Sequence, residues 1–148
     1  MRSFFGLLFN HLETYDVKYA LWIVQVLLAA MFLFAGSMKL VMPIEMLADQ
    51  TPLPGLFIRF IGVAETLGAL GLILPGLLRL RPRLTVLAAI ELAHVMVGAV
   101  IITLATPEPA AAAVPFVVGC LAVFVAYGRS RLAPQSEARQ RKLVLLPA

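Results

Sequence analysis

The stretch LFIRFIGVAETLGALGLILPGLL, residues 56–78, is long and apolar enough to cross a membrane as one helix. Its single acidic residue, Glu65, stands close to the middle. A charged residue at that depth costs roughly 2.5–3.5 kcal/mol on insertion scales and is usually paired or functional. Small residues that let another helix approach flank it on the same face: Gly62, Gly68 and Ala69. The stretch predicts a membrane helix that turns Glu65 toward a neighbouring helix.

The composition of the whole chain is that of a membrane protein. Of its 148 residues, 61% are hydrophobic and 14% are charged, and the mean hydropathy is +0.96. Soluble domains are only about 45–50% apolar. The net charge of +4 does not indicate a nucleic-acid partner in so hydrophobic a chain. The single cysteine, Cys120, excludes an internal disulfide or dithiol centre.

Three further stretches have the length and hydrophobicity of membrane spans: residues 19–40, 84–104 and 111–127. Together with residues 56–78 they predict an all-α, four-helix transmembrane bundle in up-down-up-down order, within residues 19–128. Residues 1–18 are expected to be either a short helix at the membrane interface or a loosely ordered start. Residues 129–148 are expected to form a basic cytoplasmic tail. Pro43 should end the first span, and IEMLA, residues 44–48, can form a helical turn.

Basic residues mark one side of the predicted bundle. Arg79, Arg81 and Arg83 lie between the second and third spans, and a second basic cluster lies in the C-terminal tail. With four spans, both clusters share a side with the N-terminus. The positive-inside rule therefore predicts that both termini are cytoplasmic and that the protein is a multi-pass protein of the inner (plasma) membrane. The three arginines are also expected to contact anionic lipids.

Six polar side chains in or near the spans are candidates for a ligand-binding site: Gln25, Lys39, Arg59, Glu65, Glu91 and His94. Counting about 1.5 Å per residue, Glu65 and His94 lie near the midplane, whereas Lys39 and Arg59 lie near the outer rim. Glu65 therefore either pairs with a rim cation as a structural lock or turns across to His94 as part of a polar site.

Glu91 and His94 are spaced i, i+3, as in the Glu-x-x-His motif of di-metal helical bundles. That motif recurs on two helices with additional glutamates, whereas this chain carries one copy, and a metal needs three or four ligands. We predict no metal site. A proton relay, a polar binding pocket and plain interhelical hydrogen bonding all stay open for these side chains.

Two sequence patterns carry a family resemblance: AGSMK at residues 35–39 and GVAETLGALGLILP at residues 62–75. Together with the flanking spans, from about residue 20 to 129, they resemble the DoxX family of small membrane proteins. The resemblance implies a four-helix membrane bundle. Some members are associated with thiosulfate:quinone oxidoreduction or with membrane complexes that handle oxidative stress, so a quinone is implied only by this resemblance. Many members carry a charged, histidine-containing patch after the third helix, where this chain has IITLATPEPA, residues 101–110.

Motifs for enzyme chemistry are missing from the sequence: it has no nucleophile elbow, phosphate loop or dinucleotide fingerprint. The leading hypothesis is therefore a non-catalytic accessory or scaffold protein that binds a partner protein, a lipid or a quinone-like molecule, with a homodimer also possible. The alternatives are a membrane redox subunit and a small-molecule or proton carrier, each using Glu65, Glu91 and His94. A midplane cavity lined by Glu65, His94 and Gln25 would favour ligand binding, whereas an ion-paired Glu65 in a closed bundle would favour the structural lock.

Overall fold

Four long helices and one short helix form the described chain: α1 (Arg2–Val41), α2 (Ile44–Ala48), α3 (Gly55–Leu77), α4 (Arg83–Leu104) and α5 (Ala113–Leu145), with a 3₁₀ turn (Pro109–Ala112) before α5. The computed structural model describes residues 2–49, 51–78, 81 and 83–145, and within these ranges the side chains of residues 18–131. The described ranges contain no strand, so the predicted all-α class is confirmed.

Four helices are long and apolar enough to span a membrane: Lys18–Val41, Gly55–Leu77, Arg83–Leu104 and Pro109–Arg131. The predicted four-span architecture is therefore confirmed. The fourth span extends beyond its predicted end because α5 continues without a break, and α1 already begins at Arg2. The roles predicted for the two terminal segments stay predictions. Arg79, the side chains of residues 2–17 and those beyond residue 131 lie outside the described set.

The spanning helices pack in a ring: α1 contacts α3, α3 contacts α4, α4 contacts α5, and α5 closes the ring against α1. Short connections make consecutive spans antiparallel, which gives the bundle two distinct ends. We call the end where α4 begins at Arg83 and the fourth span ends at Arg131 the basic end. The opposite end, with α2 and residues 105–112, is the loop end.

Prolines set the boundaries at the loop end. α1 ends at Val41, shortly before Pro43, because the residue that precedes a proline is disfavoured in helical geometry. Pro54 immediately precedes α3 with φ −58° and ψ 136°, an extended conformation that ends the loop and starts the helix. The predicted turn at residues 44–48 is α2. Pro75 lies inside α3, which continues to Leu77.

The centre of the bundle is apolar. Phe32 of α1, Leu72 of α3, Leu92 of α4 and Val125 of α5 are almost completely buried against one another's helices. Large apolar side chains such as Ile23 (61% exposed) and Phe60 (66% exposed) cover the outside of the bundle. Such a surface is unsuitable for water and suitable for lipid.

Helices α1 and α3 approach each other closely at two glycines, Gly36 and Gly62. A Cβ placed on Gly36 would lie 2.8 Å from the carbonyl oxygen of Gly62, and one placed on Gly62 would lie 2.9 Å from Cβ of Lys39. Neither position has room for a side chain without movement of a backbone. These glycines bring Lys39 level with Gly62, one helical turn from Glu65.

Gly36→Ala should lower the free energy of unfolding by about 1–3 kcal/mol, the usual range for overpacking. The added methyl group must push α1 away from α3. Gly98→Ala is the matched control, since a Cβ at Gly98 meets nothing within 4 Å. Thermal unfolding in a mild detergent measures both variants. Equal stability of the two would contradict the close approach of α1 and α3.

Candidate functional site

Glu65 forms an ion pair with Lys39. Lys39 Nζ donates to Glu65 Oε2 at 2.7 Å, and the two side chains are 29% and 4% exposed. Both side chains tilt toward the N-termini of their helices, as helical side chains do. Because α1 and α3 are antiparallel, the two tilts bring the ammonium and the carboxylate together. Of the predicted alternatives, the structure has Glu65 turned to a rim cation.

Arg59 binds backbone rather than Glu65. Its Nη1 donates to the carbonyl oxygen of Lys39 and its Nη2 to that of Met42, both at 2.7 Å. The last carbonyl groups of a helix have no partner within the helix and carry partial negative charge. Arg59 therefore caps the end of α1 from the first turns of α3. The sequence had placed Arg59 at the same rim but had not indicated this role.

Glu91 lies beside the Lys39–Glu65 pair on the next helix. A Cβ on Gly68 would clash with its Oε2, so the Glu91 carboxylate lies directly over that glycine of α3. It is partly buried, and Gly68 stands one helical turn along α3 from Glu65. Lys39 bonds Glu65 and leaves Glu91 without an ion pair among the described residues.

His94 does not join this group. It is exposed on the outer surface of α4, and its Nδ1 lies 2.8 Å from the carbonyl oxygen of Ile90 on the same helix. That contact satisfies one ring nitrogen of His94. The predicted juxtaposition of Glu65 and His94 is therefore absent from this arrangement.

Gln25 belongs to a second polar centre nearer the basic end. The side chain is fully buried. Its Nε2 donates to the carbonyl oxygen of Leu72 on α3, and its Oε1 accepts from Arg129 Nε on α5 at 2.8 Å. The Arg129 guanidinium also lies over the ring of Trp22, 4.9 Å from its centroid. Gln25 thus connects three helices.

Arg129 is a residue that sequence analysis assigned to the tail. Its Nη2 is buried and has no hydrogen-bond partner among the described residues. A signal was present in the spacing: Val118, Ala122 and Val125 are buried on one face of α5 at steps of four and three, and Arg129 follows at a step of four. The buried face of α5 therefore continues into Arg129.

A groove with a volume of about 670 Å³ lies between α4 and α5. Its walls are almost wholly apolar, and we call it the α4–α5 groove. It runs from Val86 and Ser130 at the basic end to Val100 and Pro115 near the loop end. The polar groups in its lining are on His94, Cys120, Tyr127 and Ser130. Glu65 and Gln25 do not line it.

Five of the six candidate side chains lie at three places in the described structure, and the sixth, Arg59, caps the end of α1. Lys39 pairs with Glu65 between α1 and α3, and Glu91 of α4 lies beside them over Gly68. Gln25 meets Arg129, while His94 lies at the groove. Within the described ranges, His, Cys, Asp and Glu side chains form no group of three or more that could hold a metal.

Comparison with known proteins gives one match. The model of the DoxX-like family matches residues 23–125, which include most of the four spans. No curated protein and no solved structure matches the chain significantly. The match covers more than half of the chain and agrees with the four-helix architecture. The chain belongs to the DoxX-like family of membrane proteins.

Proposed function

We propose that this multi-pass membrane protein is a non-catalytic accessory component that binds an anionic phospholipid and offers it to a partner protein. One acyl chain lies in the α4–α5 groove, and the phosphate meets arginines at the basic end. Any associated catalysis belongs to the partner. The protein lies in the inner membrane. By the positive-inside rule, its basic end and both of its termini face the cytoplasm.

The groove is the observation that carries this proposal. Its volume of about 670 Å³ falls in the range of about 300–1,000 Å³ typical of ligand sites. Its lining is apolar over more than three turns of α4, from Val86 to Val100. An extended hydrocarbon chain fits such a lining because it makes dispersion contacts along its length and needs no hydrogen bonds.

Charge at the mouth of the groove selects the head group. Tyr127 and Ser130 line the groove at the basic end, and the Arg131 guanidinium lies over the Tyr127 ring, 5.1 Å from its centroid. Arg81 and Arg83 are exposed at the same end, just before the start of the groove on α4. Basic residues near a membrane surface attract anionic lipids by about 1 kcal/mol each.

A quinone-like molecule is the second candidate, and His94 is the observation that favours it. With Nδ1 bonded to the Ile90 carbonyl, Nε2 is free to bond an oxygen-containing ring group at mid-depth in the groove. The redox-subunit and proton-carrier alternatives gain less support. Glu65 is paired with Lys39. Glu91 faces α3, whereas His94 lies on the exposed side of α4, so the two do not face each other.

Val123→Trp should reduce the amount of co-purified anionic phospholipid by about tenfold, since the indole fills the groove. Val117→Trp is the matched control. Val117 and Val123 are on the same helix and are 55% and 56% exposed, but only Val123 lines the groove. Native mass spectrometry of the protein released from nanodiscs of mixed phosphatidylglycerol and phosphatidylcholine measures the bound lipid.

A third variant identifies the head-group contact. Arg131→Ala should lower the preference for phosphatidylglycerol over phosphatidylcholine by about fivefold, as expected for the loss of one cation. Equal lipid binding by the two tryptophan variants would overturn the groove proposal. Binding that depends on His94 and not on Arg131 would instead favour the quinone-like ligand.

A further inference from the structure

The polar groups in the lining of the α4–α5 groove lie at two depths. Tyr127 and Ser130 stand at the basic end, where the proposed head group lies. The other two, His94 and Cys120, are exposed side chains that line the groove away from both of its ends. Every other side chain in the lining is apolar. A saturated hydrocarbon chain makes no use of the two polar groups that lie deeper in the groove.

His94 and Cys120 lie at the same depth on their two helices. A Cβ on Gly119 of α5 would lie 3.2 Å from Cβ of Met96 on α4, so those two residues are level with each other. Toward the basic end, His94 is two residues from Met96 and Cys120 is one residue from Gly119. The depths of His94 and Cys120 therefore differ by only about 1.5 Å. We call this depth the mid-groove level.

The mid-groove level corresponds to the middle of an acyl chain. On α4 the groove runs from Val86 to Val100, which is about 21 Å. An extended chain advances about 1.2 Å per single bond, as an extended backbone does over its three bonds per residue, so a chain of about 16–18 carbons fills this length. His94 lies about 12 Å from Val86, and Cys120 lies about 15 Å from Ser130. The mid-groove level is thus about 10–13 bonds from the basic end of the groove.

The hydrogen bond of His94 determines what its other ring nitrogen can bind. Nδ1 lies 2.8 Å from the carbonyl oxygen of Ile90. A carbonyl oxygen only accepts hydrogen bonds, so Nδ1 carries the proton. A charged imidazolium is disfavoured at this depth in a membrane. The neutral ring therefore has Nε2 as an acceptor, and the described chain gives Nε2 no donor. A ligand that bonds His94 in the groove must donate a hydrogen bond.

A hydroxyl group on the acyl chain meets this requirement. Its O–H donates to Nε2, and its oxygen can accept a hydrogen bond from the thiol of Cys120, which is a weak donor at the same level. A carbonyl or ester group only accepts and cannot bond Nε2. A saturated chain leaves the imidazole nitrogen without any partner in an apolar setting, which is unfavourable.

We propose that the α4–α5 groove selects an anionic phospholipid whose acyl chain carries a hydroxyl group near its middle. The inference rests on the lipid binding proposed above and specifies the chain that the same site takes. The hydroxyl group donates to His94 Nε2, while the phosphate meets the arginines at the basic end. The groove recognises its ligand at two points, so a chain that is hydroxylated close to the ester satisfies only one of them.

Competition between two lipids tests this selection. Phosphatidylcholine nanodiscs receive equal amounts of two phosphatidylglycerols, one with stearoyl chains and one with stearoyl chains hydroxylated at the twelfth carbon. Native mass spectrometry measures the bound ratio. The wild-type protein should favour the hydroxylated lipid about fivefold, as expected for one hydrogen bond. His94→Phe should remove this preference, since phenylalanine keeps a ring but has no acceptor. Leu87→Phe is the matched control: Leu87 is an exposed residue of α4 outside the groove lining, and the preference should remain.

The outcomes separate this inference from the proposed function. Equal binding of the two lipids by the wild-type protein, or a preference that His94→Phe retains, would overturn the selection. Lipid binding that is equal in Val123→Trp and Val117→Trp would instead overturn the groove as the lipid site. A phosphatidylglycerol hydroxylated at the second carbon should bind no better than the stearoyl lipid. If it is favoured as strongly as the lipid hydroxylated at the twelfth carbon, the contact is not at the mid-groove level.

Two further measurements test the donor and the acceptor. A benzohydroquinone with a decyl tail also carries a hydroxyl donor. If it displaces the hydroxylated lipid at equal concentration, the acyl chain is not the source of the hydroxyl group. Nitrogen-15 NMR of labelled histidine determines the tautomer of His94 in a His11→Gln background, which removes the protein's other histidine. A proton on Nδ1 is the expected result, and a proton on Nε2 would contradict the proposed contact.

Discussion

Lys39→Met is expected to be among the most destabilising single substitutions in the chain, lowering the free energy of unfolding by about 3–5 kcal/mol. The lysine is the ion-pair partner of Glu65, whose side chain is 4% exposed. Removing one member of a buried pair leaves the other charge uncompensated, and that loss is in this range. Methionine keeps the length of the side chain, so the change is mainly electrostatic.

Glu65→Gln should cost much less, about 1 kcal/mol, in the same assay. The lysine that remains is 29% exposed and close to the loop end, where it can reach the head-group region. The double variant Lys39→Met/Glu65→Gln should therefore be more stable than Lys39→Met alone. Thermal unfolding in detergent of the two single variants and the double variant gives the coupling between the residues.

The same series separates a structural role of Glu65 from a functional one. If the two substitutions add independently, Lys39 and Glu65 are not coupled and the ion pair is not a lock. If Glu65→Gln leaves stability unchanged but abolishes lipid retention or a cellular phenotype, Glu65 serves a site instead. The geometry predicts the opposite result, with stability affected and the groove unaffected, since Glu65 does not line it.

The spans were predictable because a membrane helix has a strong local signature. About 20 apolar residues in a row suffice, and the ends at Pro43 and Pro54 are local signals too. The helix containing Glu65 was found in this way, with the predicted residues 56–78 against an observed Gly55–Leu77. The sequence also predicted the two possible cation partners of Glu65, Lys39 and Arg59, because both lie near the same rim of the bundle. The choice of Lys39 needed the close approach of Gly36 and Gly62, which is a property of two helices together.

The surroundings of His94 could not be read from its spacing to Glu91. Positions i and i+3 share a face only approximately, with an angular difference of about 60°. On α4, that difference places Glu91 against α3 and His94 on the outer surface. The sequence does not state the order of helices around the bundle, so the side of α4 that faces α3 was unknown. The lipid-facing position of His94 depends on that order.

Gln25→Leu is the second large effect that we expect, with a loss of about 3 kcal/mol in the free energy of unfolding. Interhelical hydrogen bonding by Gln25 was predictable from its place in a span, but its partners were not. The side chain is fully buried and bonds both the Leu72 carbonyl and the Arg129 guanidinium. Hydrogen bonds to charged groups contribute about 1.5–3 kcal/mol, and a buried donor left unpaired costs its full desolvation.

Arg129 explains why this loss should be large. Its Nη2 is already buried without a described hydrogen-bond partner, so Gln25 and the Trp22 ring supply much of its stabilisation. Without Gln25, the Nε donor also loses its acceptor. Replacing both members by apolar residues should recover much of the stability, because buried polar pairs can often be exchanged for well-packed apolar groups at little cost.

The measurement is a comparison of Gln25→Leu, Arg129→Leu and the double variant by thermal unfolding. The double variant should be more stable than Gln25→Leu alone, since it removes the unpaired guanidinium. Ser37→Ala is the control, because Ser37 is exposed and bonds only the Phe34 carbonyl of its own helix. Its effect should stay within about 0.5 kcal/mol. If Gln25→Leu were as mild as this control, the three-helix connection through Arg129 would not contribute to the stability of the bundle. The position of Gln25 between α1, α3 and α5 would then have a different role, such as placing Arg129 beside Trp22.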